Sequence, residues 1–459
     1  MKDSFKDVLI DIVGRANFTD QLIDLVSYSY DASDHDHRPE AAVWPTSPEQ
    51  VSRILDLANK LRLPVTPRGA GTGLAGSAIP ENGGLVLDMC RMNEIVDIRI
   101  ADRLAIVQPG VVYADLEKAL ARYGFFFPPD PASASVCTLG GNVATNAGGL
   151  RGAKYGVTGD YVMGLEVVQP DGRIMHTGSD CMKSVSGYNI TQLFVGSEGT
   201  LGVITEITLK ITPRPIAVKT LLASFVSLED AGCAIIDTVH SGIVPSVLEL
   251  LDENSIKVLR DHDNVDLPDV SALVLVETDG YTEAETAFQM DRVIEVVKKN
   301  NAIDIEVAKT AEEAEELWRA RKSVGSVAAQ LRPSNVSEDV TVPISKIPDL
   351  LRGISTIVRN HDLPFVIFGH AGDGNFHPRI MYDPSDPGQL RRVRKAVDEI
   401  FRLTCDLGGT LSGEHGIGLA KARYMSLEHD PVEVEVMRSI KKLFDPNNIL
   451  NPGKMALEI

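Results

Sequence analysis

The chain has 459 residues, more than one hydrophobic core usually supports, so two or three domains are expected. Its 45 Lys and Arg against 64 Asp and Glu give a formal charge of −19, which argues against nucleic acid or an anionic membrane surface as the main partner. Cys90, Cys137, Cys181, Cys233 and Cys405 stand apart with no Cys-x-x-Cys pair, so no disulfide framework, iron–sulfur cluster or zinc–cysteine site is indicated.

The N-terminus lacks a signal-peptide pattern, and no apolar run approaches the roughly 20 residues a membrane span needs, so a soluble cytoplasmic protein is expected. Residues 1–38 read as an N-terminal extension with one short amphipathic helix carrying Val8, Leu9, Ile12 and Val13. Ser47-Pro48-Glu49-Gln50 is a helix start, with Ser47 at N-cap and Pro48 at N1, followed by Val51, Ile54, Leu55 and Ala58 on one face. A short strand then enters Pro67-Arg68-Gly69-Ala70-Gly71-Thr72-Gly73-Leu74-Ala75-Gly76-Ser77. Glycines at this density let backbone N–H groups converge without Cβ obstruction and form an anion-binding nest suited to a pyrophosphate. A lone stretch of this kind is equally a flexible turn.

The segments Leu85-Val86-Leu87 and Ala105-Ile106-Val107 and a helix over 114–122 continue a βαβ-like alternation as a first subdomain. Two more Gly-rich stretches follow, Thr138-Leu139-Gly140-Gly141-Asn142-Val143-Ala144-Thr145-Asn146-Ala147-Gly148-Gly149 and Gly196-Ser197-Glu198-Gly199-Thr200-Leu201-Gly202. Such small residues beside apolar strands favour close approach of backbone to a ligand over a plain surface loop. Between them, residues 164–168 and 174–176 around Asp171-Gly172 read as a hairpin, and 204–211 alternates as a half-buried strand. Pro213 and Pro215 mark a boundary, after which strands at 220–225, 272–277 and 365–368 and a last strong helix over 390–407 suggest an α+β unit.

Two Gly-flanked turns in that second half carry chemistry. In Phe368-Gly369-His370-Ala371-Gly372-Asp373-Gly374-Asn375-Phe376-His377, a tight turn between strands would set His370 and His377 side by side, as two metal ligands need. Ser412-Gly413-Glu414-His415-Gly416 adds a carboxylate and an imidazole. Two His and one Glu leave an open position on a divalent ion, the usual arrangement of a catalytic site. In the helix at 311–321, Trp318 and Arg321 share a face; a charged surface role competes there with a binding one.

The three Gly-rich segments, in this order, resemble the FAD domain of the vanillyl-alcohol-oxidase/PCMH flavoprotein superfamily, and the His-containing turns resemble the C-terminal half of its D-2-hydroxyacid dehydrogenases. The resemblance implies an α+β protein: a two-subdomain PCMH-type FAD-binding domain over 39–214, a cap with an antiparallel sheet over 215–410, and a segment over 411–459 that returns to the FAD domain. It implies FAD contacts from Pro67, Arg68, Gly69, Ala70, Gly71, Thr72, Gly73, Leu74, Ser77, Pro131, Thr138, Gly140, Gly141, Asn142, Thr145, Asn146, Gly148, Gly149, Tyr155, Gly156, Glu198, Gly199, Gly202, Ile204 and Asn451. Relatives that tether FAD covalently place a His where this chain has Thr72, so FAD is expected to be non-covalent. It further implies a divalent metal (Zn, Mn or Fe) on His370, His377 and Glu414, His415 as catalytic base, and Arg321 on the substrate carboxylate.

The activity implied is oxidation of a small D-2-hydroxy acid to the 2-oxo acid. The hydroxyglutarate branch places a Lys two residues before the Asp of its Asp-x-x-x-Pro segment; here Asp339 is preceded by Ser337-Glu338, which favours D-lactate or glycolate over hydroxyglutarate. The competing class is a non-catalytic flavin subunit of an electron-transfer complex, or an alkyl-transferring flavoprotein. With no redox centre of its own beyond flavin, the chain should pass electrons to a partner, an electron-transfer flavoprotein or iron–sulfur subunit, which could tie it to a membrane-bound complex. A homodimer is open.

Overall fold

The computed structural model describes residues 3–263 and 266–457 and resolves into two compact units. The first unit comprises the chain up to Gly148, Val157–Arg214 and everything from Glu414 on; the second comprises Gly149–Gly156 and Pro215–Gly413.

The first unit contains two larger sheets. One has the strand order Phe18–Thr19, Ala41–Val43, Leu85–Asp88, Val65–Arg68, in which the last three run parallel. Helix Pro48–Leu61 closes the crossover between parallel strands. Ser47 caps it by accepting from the Gln50 N–H, and Val51, Ile54, Leu55 and Ala58 turn inward. Residues read as an N-terminal extension are integral to this core: Leu9, Ile12 and Val13 of helix Asp3–Val13 pack with Val51 and Leu55. So are Ile449 and Leu450 of the tail, where Val65 N–H donates to Ile449 O (2.7 Å) and Asn451 N–H to Val65 O (2.8 Å).

The other sheet is antiparallel, in the order Ile95–Arg99, Leu104–Val107, Val203–Lys210, Val162–Val168, Ile174–Gly178. The strand expected to continue the parallel alternation at 105–107 therefore sits here, paired with 207–209 a hundred residues on. Strand propensity is the same in either sheet; only the long-range partner decides. Helices Tyr113–Ala121 and Leu139–Thr145 cover this sheet's core. A helix not anticipated, Pro431–Phe444, adds Ile440 and Phe444 to the same core, with the Phe444 ring 5.4 Å from Phe194.

The second unit is built on an eight-stranded antiparallel sheet in the order Asp304–Val307, Ala217–Phe225, Ala272–Gly280, Val247–Asp252, Phe365–His370, Asn375–Tyr382, Ser334–Ser337, with Val340–Thr341 pairing beside the last of these on Asn375–Tyr382. Leu222, Leu251, Leu273, Leu275, Val366, Phe368 and Met381 form the core of one face with helices Glu253–His262 and Ala311–Ala329. Strand alternation sends Glu249, His370, His377 and Arg379 to that same face, because Glu249 pairs with His370, Phe368 with His377 and Val366 with Arg379.

Candidate active site

A cavity in the first unit is walled by all three Gly-rich segments. Pro67 through Leu74 and Ser77 form one side, Pro131, Thr138, Gly140, Gly141, Asn142, Thr145 and Gly148 another, and Glu198, Gly199, Gly202 and Ile204 a third. Among the described residues, the backbone N–H groups of Ala70, Gly71, Thr72, Gly73 and Leu74 meet no protein acceptor. Five consecutive free donors around a concave wall are an anion nest. Gly71 has φ +71°, and a Cβ there would collide with the Arg68 guanidinium. That guanidinium faces away from the nest: it donates to Tyr30 O (2.9 Å) and Ala78 O (3.3 Å), so Arg68 braces the loop from behind.

Across the cavity, Thr138 caps helix Leu139–Thr145 by accepting from Gly141 N–H (3.3 Å). Asn142, in the cavity wall, has a buried Nδ2 with no hydrogen-bond partner. A buried orphan amide and an unpaired N–H nest both call for a polar, anionic occupant. FAD fits: its pyrophosphate suits the nest, and its other polar groups could satisfy the amide.

The same cavity receives Glu414 and His415. Gly148 makes room, since a Cβ there would lie 3.0 Å from Glu414 Oε2. The turn that carries them is stapled by Glu198, whose carboxylate is buried and accepts from Ser77 Oγ (2.5 Å), Ile417 N–H (2.7 Å) and Gly418 N–H (2.9 Å). Burial pushes the Glu198 carboxyl up, while these donors and Lys454 pull it back. One carboxylate thus ties the nest loop to the His415 turn. Gly418 is required where the two meet: its φ is +49°, and a Cβ would strike the Ala75 carbonyl, which accepts from Leu419 N–H (2.9 Å).

Five residues assigned to FAD by resemblance lie outside this wall. Asn146 ends its helix at φ 52° and accepts from Gly159 N–H (2.7 Å). Asn451 supports the wall from behind, donating to Ser77 O (2.8 Å) and Glu198 O (2.7 Å). Gly149, Tyr155 and Gly156 belong to the second unit, where the Tyr155 hydroxyl donates to Asp279 (2.7 Å). Met89, Pro109, Ser133, Cys137 and Val203 line the cavity without having been singled out, their small or apolar side chains giving no local signal.

In the second unit, the turn at 371–374 brings the His370 and His377 rings to 5.1 Å, edge to face. Gly374 permits it: at φ +79° its Cα faces the Val342 carbonyl with no room for a side chain. His370 Nδ1–H donates to Glu249 Oε1 (2.6 Å), which leaves Nε2 as the ligating nitrogen. Glu249 is fully buried and also takes the Arg321 Nε–H. Burial alone would raise its carboxyl, but the Arg321 guanidinium and His370 hold it below the usual carboxylate range. Arg321 is therefore the partly buried partner of a fully buried carboxylate, not a surface ion-pair residue, and only its Nε is engaged in that pair. Next to it on the helix, Trp318 Nε1–H donates to Glu277 (3.2 Å). Asp339 stands 3.8 Å from His377 Nδ1 and accepts from Asn375 Nδ2 (2.6 Å) and Ser412 Oγ (2.7 Å). Two imidazoles, at least one steered by a buried carboxylate, form a donor set that suits zinc, manganese or iron.

Comparison with known proteins accounts for both halves of the chain. Residues 39–178 match the FAD binding domain family and residues 214–455 the family of FAD linked oxidases, C-terminal domain. The chain is 42% identical over 452 residues to the glycolate oxidase subunit GlcD of Bacillus subtilis, covering 98% of this chain and 96% of that protein. It is 39% identical to the Escherichia coli K12 glycolate oxidase subunit GlcD, covering 94% and 86% of the two chains. It is 35% identical to the D-lactate dehydrogenase of Anaerostipes hadrus, covering 92% and 90%. Its fold matches a substrate-bound p-cresol methylhydroxylase with a TM-score of 0.83 over 99% of this chain and 97% of the other, at 18% identity. With a nest for a dinucleotide in one unit and the C-terminal oxidase domain in the other, the chain belongs to the FAD-linked oxidases of the vanillyl-alcohol-oxidase/PCMH superfamily.

Proposed function

We propose that the protein oxidises a D-2-hydroxy acid to the corresponding 2-oxo acid and passes the electrons to a protein partner. The observation that carries this reading is the presence of His415 and Glu414 in the wall of the FAD cavity itself, so that an acid–base group and the cofactor site share one enclosure. The names of the relatives favour glycolate and D-lactate as substrates.

Bound FAD supplies the two-electron acceptor for the hydride that leaves C2. His415 takes the hydroxyl proton; an imidazole suits this because its ordinary pKa lies near neutrality. Arg321, steadied on Glu249 through Nε, offers its remaining N–H groups to the C1 carboxylate and so orients C2. His370, His377 and Glu414 are the proposed ligands of a divalent ion, which when bound would polarise the hydroxyl oxygen and favour its deprotonation. Assigning Glu414 to the same ion as the two imidazoles rests on motif resemblance. Glu249 keeps the His370 ring in one tautomer.

Electrons then leave through an electron-transfer flavoprotein or iron–sulfur subunit, because the five cysteines are scattered and none is in a disulfide. No described helix is long and apolar enough to cross a membrane, so any membrane association would come from such a partner.

Anaerobic mixing with glycolate, D-lactate and D-2-hydroxyglutarate tests the proposal: at least one should bleach the flavin absorbance. Chelation should abolish bleaching while the flavin spectrum persists, and added divalent ion should restore it. A flavin that stays oxidised with all three acids would overturn the reading in favour of a non-catalytic subunit.

A further inference from the structure

Glu198 is held in a backbone conformation that a residue with a side chain rarely takes, φ +51°, and Gly199 follows at φ +69°. Every polar group of Glu198 is engaged. Its carboxylate accepts from Ser77, Ile417 and Gly418, its N–H donates to Ala144 O (2.8 Å), and its C=O accepts from Asn451 Nδ2 (2.7 Å). A strained residue persists only where its surroundings over-determine it, and such residues cluster at functional sites. Among the described residues, the main-chain donor that comes next, the Gly199 N–H, meets no acceptor.

Asn451 decides where that donor points. A peptide unit is planar and trans, so its C=O and the following N–H face opposite ways. Asn451, itself buried, draws the Glu198 C=O towards the C-terminal tail behind the wall. The Gly199 N–H is therefore turned into the cavity, which Gly199 lines and Asn451 does not. The orientation of the Asn451 amide is fixed, because Nδ2 faces two carbonyl oxygens, Glu198 O and Ser77 O (2.8 Å), and only an N–H can serve both. Its Oδ1 is left buried with no partner, a penalty that a residue kept for stability alone would not carry. Lys441 repeats the device two residues along the same segment, donating from Nζ to Thr200 O (2.8 Å).

We infer that Asn451 is a positioning residue for the flavin: by holding the Glu198 carbonyl it aims the Gly199 N–H at a pyrimidine oxygen of the ring and so favours the reduced state. The inference rests on the proposed oxidation, which sets His415 to work at the ring. The nest at 70–74 takes the pyrophosphate, and Glu198 is bonded to Ile417 and Gly418 of the turn that brings His415 into the same cavity. A donor one residue from Glu198 therefore serves the ring end of FAD. Hydride transfer to a neutral flavin leaves one negative charge on the ring, spread towards its pyrimidine edge, and a hydrogen bond to a charged acceptor is stronger than one to a neutral acceptor.

The test replaces Asn451 with Gly, which accepts the positive φ of +42° but holds no carbonyl, and with Ser, which keeps one donor. Reduction potentials of the FAD-loaded proteins are measured by dye equilibration, with no hydroxy acid present. Asn451→Gly should bind reduced flavin about tenfold less well relative to oxidised flavin, a fall of about 30 mV in the two-electron potential, with Asn451→Ser between. In infrared difference spectra of protein carrying FAD labelled with carbon-13 in its pyrimidine carbonyls, the labelled stretch should move up in Asn451→Gly, as a carbonyl losing a hydrogen bond does. A residue that only supported the wall would weaken both oxidation states alike, so looser FAD with an unchanged potential overturns the inference, and so does a potential shift with no carbonyl shift. Should Asn451→Gly fail to fold, Asn451→Ser carries both measurements. If no hydroxy acid bleaches the flavin while potential and carbonyl both move, the proposed oxidation fails and the role of Asn451 stands; if bleaching occurs and neither moves, the reverse holds.

Discussion

Glu249 is the residue on which the second unit's site is hung, and replacing it should be costly in a specific way. Its side chain is wholly buried and accepts from both Arg321 Nε and His370 Nδ1. Truncation to Ala leaves the partly buried Arg321 cation without its carboxylate, a loss of at most roughly 3–5 kcal/mol, the range for a broken buried pair. Gln keeps one acceptor oxygen, enough for one of the two donors, so roughly half that loss is expected. At roughly 2–4 °C per kcal/mol for a unit of this size, Glu249→Ala should lower the melting transition of the second unit by about 10 °C. Differential scanning calorimetry of the single variants and of Glu249→Gln/Arg321→Met provides the decisive comparison. If the two groups stabilise each other, the double variant is less damaged than the sum by more than about 1 kcal/mol, because the uncompensated charge has gone. Strict additivity, or a Glu249→Ala protein melting within 1–2 °C of wild type by this order-of-magnitude reckoning, would refute the reasoning.

FAD should come off in acid precipitation because Thr72 offers no imidazole for a covalent link, and yellow colour in the pellet would contradict this. His415→Ala should retain FAD but slow flavin reduction by about 10²–10⁴-fold; reduction at the wild-type rate places proton removal elsewhere. Glu198→Ala strands the Ser77 hydroxyl and two buried N–H groups, so the protein should release FAD more readily and lose roughly 3–6 kcal/mol, and undiminished FAD retention in equilibrium dialysis would count against the staple. Burial pulls the Lys454 ammonium down to about 8, against Glu198, Glu81 and Asp31, which oppose the shift. The unfolded chain then holds more protons than the folded one above that pH, so wild type gains stability relative to Lys454→Met as pH rises from 8 toward 10, by roughly 3 kcal/mol in total; a flat difference across that window would remove Lys454 as the cause.

What could be read from the chain alone was local. The nest at 69–74 is legible because glycine spacing acts over a few residues. The Ser47 cap and the two-His hairpin are legible for the same reason, since a hydroxyl three residues from an N–H, or an Asp-Gly between two apolar runs, constrains only its own neighbourhood. Helix Pro431–Phe444 escaped notice because Val432, Val436 and Leu443 lie exposed, leaving a weak apolar stripe whose packed members are Ile440 and Phe444. Everything that depends on which strand lies beside which was decided by tertiary structure. The strand Leu104–Val107 reads the same in a parallel or antiparallel sheet. Glu249 sits in an apolar run with nothing nearby to mark it, yet meets Arg321 72 residues and His370 121 residues away. Asn451 and Glu198 meet across 253 residues. Side-chain chemistry is written in the sequence, but a buried charge acquires its partner, or is left without one, through long-range pairing that no local pattern encodes.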